Sequence, residues 1–144
     1  MKIDDILKIW SEDSKIDTLN LTLESYNIGH LHHKYFQILL QEKMLFHKYD
    51  SEYKKLYLEK HEFYIQGPSD ETNKKGWIYP PIGKVLRGDI DMYMNGDKEI
   101  IEISLKISIQ KEKIELLESI IKTINNRNFT LRITLDWEKF KMGN

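Results

Sequence analysis

Residues 30–66 contain neither proline nor glycine, and the run closes on Gly67-Pro68. Positions 35, 39, 42, 46, 49, 53, 56, 60 and 63 alternate steps of four and three and carry Tyr, Leu, Glu, Phe, Tyr, Tyr, Leu, Lys and Phe. Seven of these nine are apolar, the pattern of one helix with a heptad-like seam. At ~1.5 Å per residue such a helix is about 55 Å long. It cannot bury its own stripe, so the chain must supply or recruit a partner helix.

The natural partner lies at 98–125. Here two patterns compete. Ile101, Ile103, Leu105, Ile107 and Ile109 alternate with polar residues, as in a strand. Ile100, Ile103, Ile107, Gln110, Ile114, Leu117, Ile121 and Ile124 follow a helical seam, seven of eight apolar. The alternation stops at Gln110, whereas the helical period runs on to Asn125, so one helix is expected over about 98–125, with Asp97 as its N-cap. The same conflict recurs at 129–140, where Phe129, Ile133, Trp137 and Phe140 share a helical face although Leu131, Ile133 and Leu135 alternate. A helix is expected there too.

Elsewhere the signals are shorter. Ile3, Ile6, Leu7 and Trp10 mark an amphipathic helix, with Asp4 and Asp5 suited to its first turn. Residues 18–29 offer a further turn or two before Asn27 and Gly29. Residues 67–82 read as a loop ended by Pro80-Pro81, and 82–93 as a short helix weakened by Gly88. The expected fold is all-α, with long helices forming a coiled-coil-like helical hairpin or bundle that is oligomeric. Its segments are 1–66, an N-terminal helical region with the long helix; 67–82, a loop; and 83–144, a C-terminal helical oligomerisation region.

Composition excludes several classes. The 144 residues, 40% hydrophobic and 31% charged, make one ordinary domain and are too apolar for wholesale disorder. No cysteine means no disulfide framework and no thiolate metal site. The N-terminus lacks the basic and apolar regions of a signal peptide, and no run approaches the ~20 apolar residues of a membrane span. The net charge of −1 advertises no nucleic acid. Residues 30–66 carry six lysines against five acids, and 127–144 four bases against two.

No phosphate loop, nucleophile context or zinc-protease motif is present. His30, His32 and His33 cluster, but the nearest downstream acid is Glu42, so polar residues at a helix start outweigh a metal site. Asp89 and Asp91 do not face one point on a helix. The second half of the long helix holds more chemistry. Lys48 and Lys55 share one stripe, His47, Lys54 and His61 its neighbour, and Tyr57 and Tyr64 a third. Cations beside aromatic rings suit single-stranded nucleic acid, the first following phosphates and the second stacking on bases. Asp50, Glu52, Glu59 and Glu62 are interspersed, so an ordinary charged helix face is the competing explanation.

Four blocks carry a resemblance: IDDILKIWSEDSKID at 3–17, LHHKYFQILLQEK at 31–43, EYKKL at 52–56 and LESIIKTINNRNFTLRITLDWEKF at 117–140. In them the chain resembles the UvsY family of T-even phages and its marine cyanophage relatives. INNR followed by an aromatic and a late W-x-x-F is the most specific part. The resemblance implies a non-enzymatic recombination mediator without cofactor or metal, acting in the cytoplasm of the infected bacterial host. Its partners would be single-stranded DNA, a RecA-like phage recombinase and the phage single-strand-binding protein. It also implies a homo-oligomer, a closed ring of about six or seven copies.

A family motif tied to DNA binding, L-K-A-R-L-D-Y-Y, aligns on its aromatics with YLEKHEFY at 57–64. The motif's Arg falls on Lys60, its acid on Glu62, and its tyrosines on Phe63 and Tyr64. Its Lys falls on Leu58, a departure that Lys54 and Lys55 one turn earlier compensate. The candidate DNA contacts are therefore Lys54, Lys55, Lys60, His61 and Tyr64, although Lys60 also lies on the seam. For oligomerisation, which the family assigns to its C-terminal region, the candidates are Ile107, Ile114, Leu117, Ile121, Ile124, Trp137 and Phe140. Packing within one chain is the alternative for the seam. A structural helical bundle with no nucleic-acid role is the alternative function, and a metal enzyme built on the histidine cluster is a distant third.

Overall fold

The computed structural model describes residues 1–143. Helices are α1 (Ile3–Asp13), α2 (Leu21–Gln66), α3 (Asp70–Lys74), α4 (Ile90–Asn95), α5 (Lys98–Asn125) and α6 (Arg127–Lys141), with a 3-10 turn at Arg87–Asp89. There is no strand among the described residues, and the fold is all-α as expected. α2 is 46 residues long and begins well before residue 30. Gly29 does not stop it, because Ile28 and Leu31 pack against the core on either side and outweigh the ~1 kcal/mol that an internal glycine costs. Two other boundaries differ from expectation. The loop at 67–82 contains α3, capped by Ser69, and the helix expected over 82–93 is confined to α4 behind the 3-10 turn.

All nine seam positions of α2 and all eight of α5 are buried or half-buried. Ile101, Leu105 and Ile109, the residues that only the strand pattern would bury alongside Ile103 and Ile107, are exposed. Period 3.6 therefore decided this segment.

Packing divides the chain into two compact units. Unit 1 joins Met1–Met44 to the chain from Lys111 onward, and unit 2 is Leu45–Gln110. Both long helices pass through both units, so the units cut across the three segments read from the sequence. In unit 1, Ile6, Tyr35, Leu39, Leu117, Ile120 and Ile124 form the core. The Trp10 and Tyr35 rings meet edge to face at 5.4 Å. Asp13 accepts from Lys34 Nζ at 2.6 Å and from the Tyr35 hydroxyl at 2.8 Å. Glu42, a polar position of the α2 seam, faces the N-terminal ammonium at 3.4 Å and Lys113 Nζ at 3.9 Å. The arginine of the INNR signature is buried: Arg127 Nη2 donates to the Lys15 carbonyl at 3.0 Å and to Glu24 Oε2 at 3.2 Å. It thus pins the α1–α2 connection to the start of α6.

In unit 2, Phe63, Tyr64, Trp77, Val85, Ile90, Met94 and Ile100 form the core, with Tyr53, Leu56, Tyr79 and Tyr93 against it. The Tyr79 hydroxyl donates to the Tyr64 carbonyl at 3.2 Å and accepts from the Val85 amide at 3.0 Å. One side chain thereby fastens the proline-rich segment to α2.

Candidate nucleic-acid interface

The half of α2 in unit 2 turns its seam inward and leaves two flanks in water. On one flank Lys54, Tyr57 and His61 stand at i, i+3 and i+7. The Tyr57 and His61 rings stack at 6.1 Å and 20°, and Tyr53 lies against Tyr57 at 5.9 Å. Three rings at i, i+4 and i+8 therefore form a ladder, of which Tyr57 is the exposed rung and His61 half-buried. Lys54 pairs with exposed-side Asp50 at 3.0 Å, an i,i+4 surface pair that competing water and salt weaken readily. On the other flank Lys48 and Lys55 are exposed, with no carboxylate in ion-pair range among the described residues. Nearby, Lys75 pairs with Glu59 at 3.4 Å, and Lys106 lies over the Tyr49 ring at 5.8 Å.

Lys60 and Tyr64 are elsewhere. Lys60 is 4% exposed. Its ammonium sits 3.1 Å from Asp97, 4.0 Å from Glu99 and 4.0 Å from the centroid of the Trp77 ring. Tyr64 is buried and donates to Asp97 Oδ2 at 2.7 Å. Asp97 Oδ1 accepts from the amides of Glu99 and Ile100, so it caps α5 as expected while also closing this network. Trp77 Nε1 donates to Glu99 at 3.0 Å. Burial raises the Asp97 carboxyl, but the Tyr64 hydroxyl, the Ile100 amide and Lys60 outweigh it and hold it below the ordinary range. Burial, then the bond to Asp97, pushes the Tyr64 hydroxyl far up, so it stays a donor.

Of the five candidate DNA contacts, Lys54, Lys55 and His61 thus reach solvent, while Lys60 and Tyr64 serve the core of unit 2. Tyr57 is the ring that sequence reasoning omitted from that set. The seam itself carried the signal: position 60 falls on it and position 57 does not. Of the oligomerisation candidates, Leu117 and Ile124 are fully buried and Ile114 and Ile121 pack against them in this chain's own core. Ile107 is half-buried. Trp137 and Phe140 are 59% and 72% exposed, and with Ile133 and Asp136 they line a cleft of about 290 Å³ on α6. In the histidine cluster, His32 stacks on Phe36 at 5.6 Å, and His30 and His33 are exposed. No group of three or more metal-ligating side chains is assembled among the described residues. No helix among them is long and apolar enough to cross a membrane.

A family model described as "Recombination, repair and ssDNA binding protein UvsY" matches residues 9–144. The chain belongs to the UvsY family. Three crystal structures of the bacteriophage T4 recombination mediator protein UvsY share its fold at 16% identity. Lattice type IV superposes with a TM-score of 0.83, over 97% of this chain and 99% of that one. Type II gives 0.80 over 99% and 98%, and type I gives 0.78 over 95% and 98%. Among curated proteins no sequence match is found. The UvsY-family assignment thus rests on the family model, and the solved structures add the fold.

Proposed function

We propose that this chain is a recombination mediator that binds single-stranded DNA on the outer flanks of α2 in unit 2. It is not an enzyme. It acts in the cytoplasm of the infected bacterial host and helps a RecA-like phage recombinase onto strands coated with the phage single-strand-binding protein. Membership of the family supports the class of activity. The observation that carries the site is the ladder of exposed Tyr57 and half-buried His61 beside Lys54, with Lys48 and Lys55 unengaged by any carboxylate among the described residues. Lysines that follow phosphates and rings that stack on bases favour a flexible single strand and read no sequence. Lys60 and Tyr64 contribute by holding α2 and the start of α5 together rather than by touching the strand.

We further infer a homo-oligomer, a closed ring of about six or seven copies, assembled through the exposed face of α6. The Phe129, Ile133, Trp137 and Phe140 stripe supports this, since the α5 seam is largely covered by the chain itself.

Fluorescence anisotropy with a labelled oligothymidylate tests the DNA site. Wild type is expected to prefer the single strand to duplex. Lys54→Ala with Lys55→Ala is expected to weaken binding, and the slope of log affinity against log salt should shrink by ~0.7 for each phosphate lost. Wild-type affinity and slope in that variant would move the site off α2. No binding by the wild type would leave the structural bundle as the function.

A further inference from the structure

We propose that unit 1 carries a second nucleotide-binding groove, between the start of α2 and α6. It takes one nucleotide of a single strand, with the phosphate at Arg132 and the base against Tyr26. The inference rests on the single-strand reading above but uses none of its residues.

The groove has a volume of about 420 Å³, within the ~300–1,000 Å³ typical of small-ligand clefts. Leu131, buried, forms its floor. Tyr26 stands on one wall, 80% exposed. Neither its ring nor its hydroxyl has a partner among the described residues. Arg132 stands on the opposite helix, exposed, with no carboxylate in ion-pair range among the described residues. Its neighbour Arg127, by contrast, is spent on Glu24 and the Lys15 carbonyl. Thr22, Ser25 and Asn128 add two hydroxyls and an amide to the lining, which contains no acid.

Helical spacing builds this arrangement. Thr22, Ser25 and Tyr26 share a face of α2 at i, i+3 and i+4, and Asn128, Leu131 and Arg132 do the same on α6. A guanidinium is a planar fork that matches phosphate oxygens. A tyrosine held in water beside an apolar floor offers a π-face to a base. The amide can satisfy a base edge without demanding one base, because its donor and acceptor serve several. An acidic peptide would use Arg132 but leave the tyrosine face and the amide idle, so the lining favours a nucleotide.

Three measurements on the full chain decide this. Arg132→Ala is expected to lower the salt slope for oligothymidylate by ~0.7. Tyr26→Ala is expected to weaken binding by about tenfold with the slope unchanged. Irradiating wild-type protein with a 5-bromodeoxyuridine oligonucleotide is expected to cross-link the peptide containing Tyr26. If Lys54 and Lys55 matter but both groove variants behave as wild type, the groove inference fails and the α2 site stands. Cross-links confined to the unit 2 half of α2, residues 45–66, overturn it equally. If wild type binds no oligonucleotide, the α2 reading and this one fall together.

Discussion

Lys60, a candidate DNA contact, is buried in unit 2. An ammonium 4% exposed needs compensation, and it has Asp97 at 3.1 Å and the Trp77 face at 4.0 Å. Removing one charge leaves the other buried and unpaired, a loss of ~3–5 kcal/mol. Lys60→Met is therefore expected to lower the urea midpoint of unit 2 strongly, followed by tryptophan fluorescence at Trp77. Adding Asp97→Asn should recover part of that loss, since the orphaned charge goes. A Lys60→Met protein as stable as wild type would show that the pair contributes nothing. The same network sets an acid limit. Asp97 is held below its ordinary 3.8, so its stabilisation is complete above that pH and is lost as pH falls through the lower folded value. Asp97→Asn should flatten the acid side of a stability–pH profile measured by thermal melts.

The elements were legible where one period outran its rival. In α5 the alternating isoleucines imitate a strand, yet the seam continues to Ile124, and burial follows the seam. Two substitutions separate the patterns. Ile103→Glu puts a charge where 9% of the residue is exposed and is expected to cost more than about 3 kcal/mol. Leu105→Glu, at 59% exposure, is expected to lie within ~0.5 kcal/mol of wild type. Equal losses in denaturant melts would contradict the helix. The early start of α2 was not legible, because Asn27 and Gly29 are breakers locally and only the packing of Ile28 and Leu31 overrides them. Of the candidate DNA contacts, only their exposure was legible, and only in part. Spacing placed Lys54, Lys55 and His61 on outer flanks, and the seam already implied that Lys60 faces inward. What spacing could not supply was Asp97 as its partner, a residue reached only through the intervening loop and α4. Tyr64 was lost for the same reason, since its hydroxyl bond to Asp97 is a tertiary fact.

For the whole molecule the question is which apolar surface is left over. The α5 seam looked like an oligomer contact because it is so regular, but regularity serves a partner in the same chain equally well. Leu117 and Ile124 are fully buried among residues of α1 and α2. Leu117→Asp should therefore unfold unit 1 itself and says little about assembly. The informative surface is α6, where Trp137 and Phe140 meet edge to face at 5.7 Å while standing largely in water. Covering those two rings would contribute on the order of 5 kcal/mol of apolar transfer per subunit, before the costs of association. Trp137→Glu with Phe140→Glu is expected to keep the far-UV helical signal and the melting temperature of the core, because neither residue packs into it. In sedimentation velocity at micromolar concentration the variant should run as a single chain while wild type runs as the oligomer. DNA affinity should fall with it, since the proposed ring would present every copy of the candidate α2 strip to one strand. A variant that keeps the wild-type sedimentation coefficient would remove α6 from the interface and leave the exposed stripe of Ile101, Leu105 and Ile109 on α5 as the surface to test.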